Sequence, residues 1–287
     1  MILALKNPHG QLDLSIIESH LATQVVGRPQ GTKNELWEEI DSTNSRALLL
    51  AQQGAPQGVM VLADSQTAGR GRLGRTWFSP PGAGLYMSVL LRPENLSAGL
   101  PLITIASGLA VATAVEIACG VKLQLKWVND LIFQGRKVGG ILAELQSIVS
   151  PSSTSSGFSQ ALVIGIGVNI SSRNVRLPQE LTDKVSWLED VRHNSIDRNL
   201  LVSQIAYELE QVLGLLWSGQ MNSILDAWRC YSATLGETVR ATVGENTIEG
   251  LAIDITNSGA LLIKTRNGTR ELHAGEVSIR RPDGTYC

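Results

Sequence analysis

The chain has 287 residues, with 24 Lys and Arg against 26 Asp and Glu and a formal net charge of −2. No overall positive field gathers nucleic acid, so a local cluster of arginines has to serve something small. The length and a hydrophobic content of 43% suit two domains with a sizeable core, and the widely spaced Cys119, Cys230 and Cys287, without C-x-x-C or matching histidine spacing, exclude a zinc framework and read as reduced thiols.

Residues 12–23 carry apolar side chains at 12, 16, 17 and 21, a helical spacing, and 27–33 read as a loop. Asn7, His9, Gln11, Asp13 and Glu18 interrupt any leader-like apolar run, so no signal peptide is expected. One helical pattern does not hold a DNA-binding helix-turn-helix, which needs at least two packed helices. Leu36 to Ile40 alternates as a strand and runs into Asp41-Ser42-Thr43-Asn44, a cluster of N-cap residues before a helix over 45–53. A strand end meeting a helix start offers N–H groups and hydroxyls to an anion or a ureido-type group, although a plain helix cap uses the same residues.

A strand over 58–65 and Gln66 lead into Gly69-Arg70-Gly71-Arg72-Leu73-Gly74-Arg75, then Thr76-Trp77-Phe78-Ser79-Pro80-Pro81. Glycines let the backbone come close to a ligand, and the arginines supply planar charged forks for carboxylate and phosphate oxygens. The segment predicts a loop that closes over an anion. It also spells G-x-G-x-x-G, but that dinucleotide fingerprint needs its last glycine to open a helix. Pro80, Pro81, Gly82 and Gly84 exclude such a helix, and without Gly-Lys-Ser/Thr there is no P-loop.

Leu85 to Leu91 reads as a strand and Leu100 to Cys119 as a long apolar helix, whose Thr104, Ser107, Thr113 and Glu116 suit a buried core element better than a membrane span. Val121 to Trp127 alternates, placing Lys126 just before the turn pair Asn129-Asp130 as either a solvated strand residue or a site residue. Lys137 to Leu145 is a strand entered through glycines, and 147–160 a Ser-rich linker. Ala161 to Ile170 is a buried strand whose Gly165 and Gly167 leave space on one face for something to fill; at a sheet edge it would suit a dimer. After helices over 199–217 and 220–231, the turn signals Gly244-Glu245-Asn246, Asn257-Ser258-Gly259 and Asn267-Gly268 separate short alternating strands, the pattern of a small β-barrel. The expected division is 1–233 and 234–287, in the α+β class, with a mixed β-sheet flanked by helices and a small barrel appended.

The motifs Asp41-Ser42-Thr43-Asn44, Gly69 to Arg75 with Trp77-Phe78-Ser79-Pro80, Lys126-Trp127-Val128-Asn129-Asp130, Lys137 to Leu142 and Gly165-Ile166-Gly167-Val168-Asn169 stand in the order found in biotin protein ligases. From about Glu39 to Arg280 the chain resembles that family. The resemblance implies a biotin/lipoyl ligase-like catalytic domain with an SH3-like C-terminal barrel. It also implies a two-step reaction, in which biotin and MgATP give biotinyl-5′-adenylate and a lysine of a biotin carboxyl carrier protein then takes the biotinyl group.

By the same resemblance Lys126, Arg70 and Arg72 are catalytic, holding carboxylate and phosphate oxygens, with Arg75 behind them or on pyrophosphate. Ser42, Thr43 and Gln66 serve the ureido ring, and Gly69, Leu131, Gly165 and Gly167 line the biotin bicycle. Trp77 and Phe78 form the adenylate wall, Asn169 contacts adenine or ribose, and Arg280 reaches ATP phosphate. No protein metal cage is expected; Mg²⁺ arrives with ATP. Val128 replaces a common proline and Leu73 a further arginine. The early start of the motifs implies a catalytic-only type that binds no specific DNA. A monomer or homodimer in the cytoplasm, away from membranes, is expected.

Two other readings share these residues. A lipoate or octanoate ligase or transferase has a related fold, but a saturated acyl chain asks for an apolar tunnel rather than ring-specific donors. A non-catalytic biotin sensor or a nucleic-acid binder would use the Gly-Arg loop electrostatically, although RNA-binding Gly-Arg tracts are longer and lack the flanking strands.

Overall fold

The computed structural model describes residues 10–93, 99–149, 158–243, 246–274, 277–280 and 282. Most expected elements form with shifted ends, the strand expected over 121–127 shortens to three residues, and elements at Asp130–Phe133 and Leu188–Arg192 form where none is expected. In order these are α1 (Leu14–His20), β1 (Glu35–Ile40), α2 (Thr43–Gln52), β2 (Met60–Gln66), β3 (Gly84–Leu91), α3 (Gly99–Cys119), β4 (Gln124–Lys126), β5 (Asp130–Phe133), β6 (Arg136–Val149) and β7 (Phe158–Asn169). There follow α4 (Leu188–Arg192), α5 (Arg198–Trp217), α6 (Met221–Tyr231), β8 (Thr238–Val243), β9 (Asn246–Ile255), β10 (Leu261–Thr265), β11 (Gly268–Leu272) and β12 (Val277–Arg280).

The first seven strands form one mixed sheet in the order β1-β2-β3-β7-β6-β5-β4. Only β1 and β2 run parallel, joined by the α2 crossover; the other neighbours are antiparallel. Strand β7 therefore lies in the middle of the sheet, between β3 and β6, and not at an edge. Its buried run Ala161 to Ile164 already points that way, because a strand covered on both faces reads as continuously apolar. The Ser-rich linker is shorter than its composition suggests: Ser147 pairs with Gln160, Ile148 with Ser159 and Val149 with Phe158, so the β6–β7 hairpin extends to both flanks of residues 150–157, which lie outside the described set.

Helix α3 is long and apolar enough to cross a membrane by composition, yet 78% of its most apolar window is buried inside the protein. It is apolar all round because it packs between the sheet and α5, the situation that removes a polar face from a helix. Helix α5 is anchored at its start by Arg198, which pairs with Asp64 at 2.8 Å and donates to the carbonyls of Gly10 and Gly84.

The C-terminal strands form a separate five-stranded antiparallel sheet, β11-β10-β9-β8-β12, an order compatible with the expected small barrel. Turns fall at Asn257-Ser258-Gly259 and Asn267-Gly268 as their composition predicts, while residues 244 and 245 of the third lie outside the described set. The seam with the first sheet is specific. Trp127 donates its backbone N–H to Thr234 Oγ1 at 3.0 Å and its indole N–H to the Gly259 carbonyl at 2.9 Å.

Strand β2 carries Gln66 to the site, and its entry depends on Gly58. The residue has φ of +91° and its ideal Cβ would stand 2.1 Å from the Val25 carbonyl oxygen. Backbone cannot yield as a flexible side chain can. Gly58→Ala should lower unfolding free energy by about 2–4 kcal/mol, read from the denaturant midpoint at unchanged slope.

Candidate active site

The Gly-Arg loop is a narrow hairpin pinned at its base. Thr67 and Ala68 donate to the carbonyls of Ile40 and Asp41, Trp77 N–H to Gly69, and Gly71 N–H to Arg75 at 2.7 Å. Arg70 faces Thr76 in an isolated antiparallel bridge, and Arg72–Gly74 forms one 3₁₀ turn at the tip. Leu73 stands there at φ of +58°, a left-handed conformation uncommon for a branched side chain.

Behind the loop, polar side chains hold one another. Gln66 Oε1 accepts from Thr43 N at 2.9 Å, while its amide Nε2 donates to Ser79 Oγ at 2.9 Å. Ser42 caps α2, accepting from Ser45 N. Ser88 Oγ lies 2.8 Å from Thr43 Oγ1 and 2.6 Å from Asn44 Oδ1, and Asn44 Nδ2 donates to Glu144 at 2.8 Å. Glu144 in turn accepts from Arg70 at 2.5 Å. A chain of hydrogen bonds thus joins the α2 N-terminus to the loop arginine. With Arg70 41% and Glu144 22% exposed, their ion pair contributes about 0–1 kcal/mol to folding; its significance is orientation.

The glycines of β7 are filled from within the protein. An ideal Cβ on Gly165 would stand 2.0 Å from Asn44 Oδ1, and one on Gly167 2.5 Å from Trp77 Nε1. Gly140 on β6 likewise faces the Trp77 ring at 3.6 Å. The indole thus lies over strand backbone, with Lys137 Nζ 5.2 Å from the ring centroid and 2.5 Å from Asp130 Oδ1. Trp77 Nε1 is buried with no hydrogen-bond partner among the described residues.

Cations converge on the same cavity. Lys126, at the end of β4, is 2% exposed, so it is a buried lining residue and not a solvated strand residue. Arg72 donates to Asn129 Oδ1 at 3.0 Å and to the Ala274 carbonyl, joining the loop to the C-terminal sheet. Burial pulls its guanidinium below the ordinary arginine range, with Asp130 acting in the opposite direction. Arg75 and Arg280 also line the cavity.

The cavity brings together Ser42, Thr43, Gln66, Arg70, Arg72, Arg75, Trp77, Lys126, Gly165, Gly167 and Arg280. The other candidates are placed differently. Asn169 turns its amide to the carbonyls of Lys137 and Ser186, at 3.4 and 3.2 Å, and holds backbone instead of facing the cavity. Leu131 is wholly buried against Gly139, in the apolar core behind the lining. Phe78 is partly buried outside the lining, and Gly69 supports Trp77, Ser79 and Gln66 from behind, where a Cβ would meet all three.

Residues not singled out from the sequence complete the site. Asn44, Asn129, Asp130 and Lys137 line it, and Glu144 touches Arg70. The first four lie in quoted motifs but carried no assigned role, and nothing in local pattern marks Glu144.

Residues 36–169 match the biotin/lipoate A/B protein ligase family and residues 234–280 the biotin protein ligase C-terminal domain. The chain is similar to the bifunctional ligase/repressor BirA of Bacillus spizizenii, 32% identical over 276 residues that cover 96% of this chain and 81% of that protein. It is 34% identical to the biotin–[acetyl-CoA-carboxylase] ligase of Paracoccus denitrificans, over 83% of this chain and 96% of the relative. In three dimensions it resembles biotin protein ligase from Aquifex aeolicus in complex with biotin and ATP. That match has a TM-score of 0.74 and 32% identity, and covers 87% of this chain and 100% of the other.

Because the Trp77 seat needs bare backbone, Gly167→Ala should displace the indole and loosen the hairpin. Tryptic cleavage after Arg70, Arg72 or Arg75 should accelerate about threefold or more, since cleavage follows local opening. An unchanged cleavage rate would remove Trp77 from its role as the anchor.

Proposed function

The chain belongs to the biotin/lipoate A/B protein ligase family, and from that membership and the site we infer a biotin–[acetyl-CoA-carboxylase] ligase that attaches biotin to a lysine of a biotin carboxyl carrier domain at the expense of ATP. The observation that carries this reading is one cavity lined both by the polar side chains of Gln66, Thr43 and Ser42 and by the charges of Lys126, Arg70 and Arg72.

In the first step a carboxylate oxygen of biotin attacks the α-phosphorus of ATP, a C(O)–O–P bond forms, and pyrophosphate leaves. Two unit charges about 4 Å apart repel by roughly 4 kcal/mol at an effective dielectric near 20. Lys126, Arg70 and Arg72 offset that repulsion and stabilise charge on the phosphoryl oxygens in the transition state. They are already oriented by the fold, so little reorganisation accompanies the reaction. In the second step the neutral amine of the carrier lysine attacks the acyl carbon, an amide forms, and AMP leaves with the anhydride oxygen.

Arg75 and Arg280 are assigned to the phosphates. The Trp77 face and the closed loop exclude water from the anhydride. Mg²⁺ is assigned to the triphosphate, since it dehydrates reluctantly and is commonly held by substrate phosphates and waters. No step above runs through it. The net charge of −2 gives no reason to add operator DNA to the partners. Reduced cysteines fit a cytoplasmic enzyme.

The polar lining also argues against a lipoate or octanoate ligase, because Gln66 and Thr43 suit ring N–H and carbonyl groups that a saturated acyl chain lacks. Incubating the protein with ATP, a carrier domain and either biotin or octanoate separates the readings: the carrier should gain the mass of one biotinyl group and no octanoyl group. Biotin binding with no mass gain would support a sensor.

Two substitutions test the roles. Lys126→Met should slow adenylate formation about 100-fold or more in single-turnover assays, as loss of a transition-state charge contact does. Arg70→Gly should release free biotinyl-adenylate about tenfold faster than the unaltered chain; equal release would remove Arg70 as the retaining residue.

A further inference from the structure

Glu144 lies on β6 opposite Val163 and keeps both carboxylate oxygens occupied. One accepts from Arg70 Nη2 at 2.5 Å and the other from Asn44 Nδ2 at 2.8 Å. Asn44 is itself held, its Oδ1 accepting from Ser88 at 2.6 Å while its side chain sits over Gly165. The carboxylate is therefore oriented by the buried network, and it orients Arg70 in turn.

Arg70 also stands between two spaces. It lines the reaction cavity and, on its other side, an outer groove formed with Ser45, Leu48, Gln52 and Gln146; Glu144 lines only the groove. A guanidinium has five N–H donors in a planar fork, so one engaged by Glu144 from the groove side leaves others for an anion on the cavity side. An arginine fixed in this way meets a developing negative charge without first having to find its rotamer.

We propose that Glu144 is a positioning residue for the ligase reaction, holding Arg70 as a wall between the cavity and the outer groove so that the adenylate is retained and kept from water. The inference rests on the ligase reading above. Glu144 touches no reacting atom; it acts through Arg70. Released from Glu144, the guanidinium samples other rotamers, and the groove becomes a route by which water enters and the adenylate leaves.

The test uses the full chain with biotin and ATP and no carrier, measuring release of free biotinyl-adenylate by chromatography of quenched samples. Glu144→Ala should raise release about tenfold, and Glu144→Gln, which keeps a hydrogen bond but no charge, about threefold. In an Arg70→Gly background the added Glu144→Ala should change release by less than about twofold, because residues acting as a unit are not additive. Release by both single variants within about twofold of the unaltered chain overturns the proposal, and so does a full tenfold effect in the Arg70→Gly background. If Glu144→Ala does not fold, Glu144→Gln decides, alone and in the Arg70→Gly background, by the same comparison. Absence of any adenylate from the unaltered chain overturns the ligase reading itself and this proposal with it.

Discussion

The indole of Trp77 rests on strand backbone left bare by Gly167, and the shape of the cavity depends on that contact. A Cβ at Gly167 would occupy the space of the ring nitrogen. With the ring seated, the loop ends are drawn to the sheet, Ser79 meets Gln66, and Arg70 comes within reach of Glu144. Lys137 Nζ lies 5.2 Å from the ring centroid and is paired with Asp130. An aromatic face beneath an ammonium is favourable, more so where water is excluded, so the seat and the charge pair support each other.

The polar network behind the loop answers the cost of burying polar groups. Thr43, Asn44, Ser42 and Ser88 are nearly inaccessible, and each is engaged by another side chain or by the α2 cap. A satisfied network of this kind is stiff, because any member that moves leaves another unpaired. Its stiffness extends through Glu144 to the loop. The same cluster that opens α2 thus helps to orient Arg70, which joins part of the polar lining and a loop cation in one network.

The second sheet contributes through the seam. Arg72 reaches the carbonyl of Ala274, Trp127 donates to Gly259, and Arg280 lines the cavity from β12. Arg72 therefore joins the loop to the C-terminal sheet, and the cavity is complete only with residues of both parts.

Much of this was legible in the chain alone. Apolar period distinguished the buried strand over 161–170 from the helix at 100–119, prolines after the Gly-Arg loop excluded a nucleotide-binding turn, and capping residues located the start of α2. The motifs in order pointed to the family and to Lys126, Arg70 and Arg72. These are local properties: backbone conformation, periodicity and the charge a residue type carries are set within a few positions. What only the tertiary structure decided was who faces whom. Gly165 and Gly167 leave space on one face of β7, and Asn44 and Trp77 enter it from 121 and 90 residues away by the numbering. Asn169 donates its amide to the Lys137 carbonyl, a partner 32 positions away, and Glu144 is an unremarkable strand residue until Arg70 stands beside it. Such pairings join residues far apart in the chain, and their energy depends on distance and burial in the folded molecule, so no local pattern could have announced them.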